Sequence, residues 1–129
     1  MERLGMKLKN PKTAQFMARV DASRGDLISL TQELIQIPTL NPPGENYLLI
    51  CEYLARRLTG RGFEVEMIRA YGTPGDSDKY PRWNVVARRE GARTGECVHF
   101  NSHIDVVDVG QGWSFDPFGG ELSDGKIYG

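Results

Sequence analysis

The chain has 129 residues with 16 Lys and Arg against 17 Asp and Glu, so its formal net charge is −1. This length suits one domain or part of a larger one. A near-neutral charge excludes the clustered basic surface of a nucleic-acid-binding protein. No apolar run approaches the roughly 18 residues of a membrane helix, and no apolar segment follows the basic start as in a secretory signal.

The N-terminal third is predicted to be helical behind a polar segment. Residues 1–12 are predicted to form a mobile leader, and residues 13–129 the folded part. A helical pattern runs from about Lys12 to Ile37, with Gly25 as a weak point or break. Pro38 ends this helix, because the residue before a proline is pushed out of the α region.

A rigid turn over residues 39–46, rich in proline and glycine, precedes a second predicted helix from about Glu45 to Arg61. One face of this helix is apolar at helical spacing, and its members are Tyr47, Ile50, Cys51, Leu54 and Leu58. Cys51 and Cys97 both lie in apolar segments. We therefore predict buried free thiols in the reducing cytoplasm rather than a disulfide.

The period then changes from 3.6 to 2, which indicates strands. Strands are predicted at 63–69, with Arg69 on a wet face, at 83–88 and at 96–102, and a hairpin is predicted over 121–128. Two helices followed by a mixed sheet define an α/β fold. Two helices are too few to cover both faces of this sheet. We therefore expect the domain to be incomplete and the chain to end within it.

His103 and Asp105 are the residues best placed for chemistry. They follow the predicted strand 96–102, and in an extended chain residues two apart point to the same side. A metal-bound imidazole commonly donates its second N–H to such an acceptor. An ordinary hydrogen-bonded pair would have the same spacing, and His99 is predicted to be a hydrogen-bonded core histidine rather than a ligand.

A series of motifs around this pair resembles one known family. The first loop contributes Ile37-Pro38-Thr39 and Asn41-Pro42-Pro43-Gly44-Glu45. The later motifs are His103-Ile104-Asp105-Val106-Val107, Trp113, Asp116-Pro117-Phe118 and Asp124-Gly125-Lys126-Ile127-Tyr128-Gly129. Together they resemble the dinuclear zinc family of deacylases and exopeptidases, which includes acetylornithine deacetylase, succinyl-diaminopimelate desuccinylase, carboxypeptidase G-like enzymes and aminoacylase.

The resemblance implies the N-terminal part of a zinc-exopeptidase-like catalytic domain. His103 would ligate one of two divalent metal ions, zinc or alternatively cobalt or manganese, and Asp105 would be the catalytic residue that holds and tunes its ring. The other ligands, the general base and a dimerisation domain would lie beyond residue 129, so the chain would be inactive alone. The substrate would be an N-acyl amino acid or small peptide, and the full-length protein a cytoplasmic homodimer.

Three hypotheses remain open from the sequence. The first is the amidohydrolase, as a deacylase or as a metallo-exopeptidase of the same family. The second is a non-catalytic remnant that binds a metal or a partner chain through an exposed sheet edge. The third is a structural α/β domain in which His103 and Asp105 form a chance ion pair.

Overall fold

The computed structural model describes residues 10–92 and 95–129 and confirms the predicted α/β class. Residues 1–9, most of the predicted leader, lie outside the described residues. In chain order the elements are α1 (Pro11–Ala22), α2 (Arg24–Ile35), α3 (Tyr47–Thr59), β1 (Glu64–Arg69), β2 (Trp83–Arg88), β3 (Glu121–Ser123) and β4 (Lys126–Tyr128).

The first helical pattern divides into two helices, and the break lies near the position that Gly25 predicts. Asn10 caps α1, because its side chain accepts a hydrogen bond of 2.9 Å from the Lys12 amide. The chain leaves helical geometry at Ser23, where ψ is 6°, two residues before the predicted weak point at Gly25. None of the helices in the described part of the chain has the length and apolarity needed to cross a bilayer.

Helix α3 provides the small core, as its apolar stripe predicts. It packs on β1 and β2, and Ile50 and Cys51 are buried in this contact. Burial disfavours the charged thiolate, which raises the pKa of Cys51 to about 11. The predicted burial of a free thiol is therefore confirmed for Cys51.

Strands β1 and β2 form an antiparallel ladder with Glu64 opposite Arg88 and Arg69 opposite Trp83. Strand positions alternate between exposed and half-buried, as predicted. The prediction for Arg69 is wrong, because period 2 places it on the inner face with Val65 and Met67. There the Arg69 guanidinium donates to the Asp76 carboxylate, and both side chains are largely shielded from water.

Asp76 organises the loop between β1 and β2. Besides Arg69, it accepts hydrogen bonds from the Gly72 amide at 3.0 Å and the Arg82 amide at 3.2 Å. The hydrogen bond from Arg69 lowers the pKa of Asp76 more than burial raises it, and the two amides lower it further. The loop is therefore held by an ionised carboxylate.

We expect Asp76→Asn to destabilise the chain at pH 7 and to have a much smaller effect at pH 3. A carboxyl group whose pKa is lowered on folding stabilises the fold above its unfolded pKa of about 3.9, and this stabilisation is lost as the pH falls through the folded pKa. Urea unfolding at both pH values measures the difference. Asp78→Asn, at an exposed position of the same loop, is the matched control. An equal effect of Asp76→Asn at pH 3 and pH 7 would contradict the assignment.

The predicted hairpin is confirmed as β3 and β4, paired from Glu121 opposite Tyr128. Its turn residues Asp124 and Gly125 have φ of 49° and 74°, as expected of a two-residue turn that requires positive φ. The hairpin docks on α2, where the Gln32 side chain donates a 2.7 Å hydrogen bond to the Gly120 carbonyl oxygen.

The segment 96–102 differs most from the prediction. It forms no strand, so the described residues make two separate antiparallel ladders instead of one mixed sheet. The apolar side chains that a third strand would have buried are exposed, with Phe100 90% exposed. For the same reason Cys97 and His99 are exposed, and the predictions that they are buried in a core are wrong.

Candidate metal centre

The first loop is joined to the segment that carries the candidate pair. Leu40 and Val106 form an isolated parallel bridge. In this bridge the Asn41 backbone amide donates to the Val106 carbonyl oxygen at 2.8 Å, and the Val106 amide donates to the Thr39 carbonyl oxygen at 3.0 Å. The buried Thr39 hydroxyl adds a 2.5 Å hydrogen bond to the carbonyl oxygen of Ile104. These hydrogen bonds fix the backbone on both sides of Asp105.

His103 and Asp105 lie together, as their spacing predicts. Nδ1 of His103 lies 2.8 Å from the backbone oxygen of Asp105 and 3.2 Å from its Oδ1 atom. A carbonyl oxygen and an ionised carboxylate can only accept, so Nδ1 carries the proton. The lone pair of the neutral ring is then on Nε2. The His103 side chain is 82% exposed, which leaves Nε2 accessible.

Asn41 holds the other side of the Asp105 carboxylate. Its Nδ2 atom donates a 2.7 Å hydrogen bond to Oδ2 of Asp105. This bond lowers the pKa of Asp105 more than burial raises it, and hydrogen bonds from Tyr47 and His103 lower it further. On the other side of the contact, burial and then the Asp105 charge raise the pKa of Tyr47. Asp105 is thus held in its ionised form, as an acceptor.

Arg82 is packed behind Asn41. Its Nη2 atom lies 3.4 Å from Oδ1 of Asn41, and its guanidinium group lies 4.9 Å from the centre of the Tyr47 ring, in cation–π range. The guanidinium also approaches the backbone at Gly44 and Gly75 so closely that a Cβ added at either position would overlap its nitrogens. Only glycine leaves room for this arginine at both positions.

The donor set fits one ligand of a metal site. An outward Nε2 lone pair, with Nδ1 donating to a carboxylate, is the arrangement expected of a metal-binding histidine. Across residues 10–92 and 95–129, no three His, Cys, Asp or Glu side chains gather closely enough to hold an ion. His103 alone would therefore supply one bond, where a catalytic zinc requires about three protein ligands.

Sequence reasoning found the pair but missed its support. Asn41 lies in the turn predicted over residues 39–46 and in the Asn-Pro-Pro-Gly motif of the resemblance, but no sequence pattern points to Arg82. Trp113 and Phe118 belong to the motifs that carry the resemblance, and aromatic residues at such positions either line a cleft or pack a loop. The Trp113 ring nitrogen donates to the Val109 carbonyl oxygen at 2.5 Å, and the Phe115 and Tyr128 rings stack at 4.0 Å. These three aromatic residues also line an open pocket.

Comparison with known proteins finds curated relatives named succinyl-diaminopimelate desuccinylase. It is 36% identical over 106 residues to a succinyl-diaminopimelate desuccinylase of Cereibacter sphaeroides, covering 81% of the chain and 25% of that protein. A desuccinylase of Acinetobacter baumannii is 37% identical over 109 residues, covering 83% of the chain and 25% of its own length. Succinyl-diaminopimelate desuccinylase 2 of Ruegeria is 33% identical over 106 residues, covering 81% of the chain and 24% of that protein.

These similarities confirm the resemblance that the motifs indicate. The chain is related in sequence to the deacylase and exopeptidase family that includes the desuccinylases. It spans about a quarter of the length of these curated relatives. No model of a protein family matches the chain, and no solved structure matches it.

Proposed function

We propose that this chain is the N-terminal part of a metal-dependent amidohydrolase that removes acyl groups from N-acyl amino acids. The observation that carries the proposal is the His103 ring, with Nδ1 turned to Asp105 and Nε2 exposed. Its second support is the name of the relatives, succinyl-diaminopimelate desuccinylase, which describes removal of a succinyl group from diaminopimelate. That name favours a deacylase over a metallo-exopeptidase.

The proposed division of labour follows from the donor set. His103 would hold one of two divalent ions, zinc or alternatively cobalt or manganese, through Nε2. The chemistry that such ions would supply is a water of lowered pKa and polarisation of an amide carbonyl. Asp105 keeps the proton on Nδ1 and so keeps the lone pair on Nε2. A general base and the remaining ligands would come from residues outside this chain, which would therefore be inactive alone.

The wider assignments belong to the same proposal. A homodimer and a small-molecule substrate are expected of the full-length protein, meaning this chain within a polypeptide of the relatives' length. Location in the cytoplasm agrees with the free thiols of Cys51 and Cys97, since cysteines stay reduced there. Partner binding by a non-catalytic remnant has less support, because it does not explain why Nδ1 of His103 faces Asp105 while Nε2 is exposed.

The test is hydrolysis of N-succinyl-diaminopimelate, an N-acetyl amino acid and a dipeptide by the full-length protein before and after chelation. We expect the succinyl substrate to be preferred. Chelation should lower the rate about 100-fold or more, because metal polarisation of the reacting groups contributes several kcal/mol, and added zinc should restore it. Circular dichroism of the chelated protein separates metal loss from unfolding. Hydrolysis that resists chelation would contradict the proposal.

A further inference from the structure

Two chains of hydrogen-bond donors meet at the Asp105 carboxylate. Arg82 donates to Asn41, which donates to one oxygen of Asp105, and His103 donates to the other. Arg82 can only donate and the Asp105 carboxylate can only accept, while the Asn41 amide can do both. Asn41 therefore turns its oxygen to Arg82 and its nitrogen to Asp105, as observed at 3.4 Å and 2.7 Å. The charges of its two neighbours fix the orientation of this amide, which hydrogen-bond geometry alone would leave ambiguous.

We propose that Asn41 is a positioning residue for the metal-binding histidine: its oriented amide holds one oxygen of Asp105, so that the other faces Nδ1 of His103. This inference rests on the proposed function for its purpose, but its geometry stands independently. The Asn41 backbone is anchored by its 2.8 Å hydrogen bond to Val106, next to Asp105 in the chain. The positioning group and the positioned group therefore move together.

The exposure of the pair explains why such a residue is needed. His103 is 82% exposed and the Asp105 side chain 31% exposed, so water competes for both. A carboxylate free to rotate would leave the ring with only the backbone oxygen of Asp105 as a partner. The hydrogen bond from Asn41 to Oδ2 stops the carboxylate from rotating. Residues that hydrogen-bond to a metal ligand commonly keep its ring in one orientation in this way.

Asp105→Asn tests the inference through the proton position on His103. Because Asn41 offers only a donor, the side-chain amide introduced by this substitution must turn its oxygen to Asn41 and its nitrogen to His103. The introduced nitrogen would then face the Nδ1–H group as a second donor, so the Nδ1–H form loses one of its two acceptors and keeps the backbone oxygen of Asp105 at 2.8 Å. Because the backbone oxygen still favours the Nδ1–H form, we expect the ratio of the Nε2–H to the Nδ1–H form to rise about twofold to fivefold, the change that loss of one hydrogen bond produces.

Adding Asn41→Ala should reverse this change. In the double variant nothing holds the oxygen of the introduced amide, so that amide can turn round and accept from Nδ1 again. Asn41→Ala alone should keep the proton on Nδ1, because Asp105 can still only accept. The inference is overturned if Asp105→Asn leaves the ratio as in the wild type, or if the single Asp105→Asn and the double variant give the same ratio.

The readout is a long-range proton–nitrogen NMR correlation of the ¹⁵N-labelled chain at a pH where both rings are neutral. The chain has only two histidines, so His99→Gln assigns the signals and exposed His99 serves as the reference ring. Asn46→Gly is the matched control, since it removes a 2.7 Å hydrogen bond to the Pro38 carbonyl oxygen in the same loop without touching Asp105. It should leave the His103 ratio unchanged.

A second variant and a second measurement separate the possible failures. Asn41→Ser repeats the cycle if Asn41→Ala disturbs the backbone amide spectrum. In the full-length protein, Asn41→Ala should weaken zinc binding about 10- to 100-fold, the usual effect of losing a group behind a ligand. If Asp105→Asn leaves the tautomer ratio of His103 unchanged, the positioning role of Asn41 is wrong, but the proposed function is not affected. An expected ratio in a full-length protein that binds no metal overturns the proposed function and leaves the positioning intact.

Discussion

Replacing His103 with alanine in the full-length protein is expected to remove bound metal and, with it, hydrolysis. Loss of a residue that merely orients a ligand costs about 10- to 100-fold in metal affinity or activity. Loss of the ligand itself should exceed this range, so we expect a fall of more than about 100-fold in both. Metal content after dialysis and the rate on the succinyl substrate are the two measurements.

His99→Ala is the matched control for this experiment. His99 is exposed and lies four residues upstream in the same irregular segment. It belongs to no strand and is not part of the candidate metal centre. Its replacement should leave metal content, rate and thermal stability unchanged. If His103→Ala retained both metal and activity in a folded protein, the chance ion pair would be the correct interpretation of His103 and Asp105.

The elements predicted well are those whose signals are local. Strand β2 begins and ends at the predicted residues, and the hairpin turn follows from Asp124 and Gly125, both of which have positive φ. Helix α3 follows from an apolar stripe that buries Ile50 and Cys51 on the β1–β2 ladder. In each case the sequence that specifies the conformation lies within a few residues of it.

The failures concern contacts between distant segments. The alternating residues 96–102 suit a strand, but a strand also needs a neighbour to pair with, and the described part of the chain supplies none. The nearest pairing is the single bridge of Leu40 with Val106. Asn41 and Asp105 are 64 residues apart, so no local period could indicate their hydrogen bond. Both residues belong to motifs of the resemblance, but those motifs do not predict the hydrogen bond between them.

Gly75→Ala is expected to destabilise the chain through its backbone conformation and through displacement of Arg82. Gly75 has φ of +78°, where a Cβ costs roughly 1–2 kcal/mol, and that Cβ would overlap Nη2 of Arg82. The guanidinium could yield only by leaving the Tyr47 ring and the Asn41 oxygen. The atoms struck are the end of a flexible side chain, so this second cost is the loss of those two contacts at about 0.5–1 kcal/mol each, and the free energy of unfolding should fall by about 2–4 kcal/mol in all.

Three further variants isolate the contribution of Arg82. Gly72→Ala, at φ of +69° with nothing within 4 Å of the added Cβ, should show the backbone cost alone. In an Arg82→Ala background, Gly75→Ala should cost no more than Gly72→Ala, because the atoms it strikes are gone. Urea unfolding of the four-member cycle measures the coupling. If Gly75→Ala cost the same with and without Arg82, the guanidinium would not occupy the space between Gly44 and Gly75, and the fixed orientation of Asn41 would lose its physical basis.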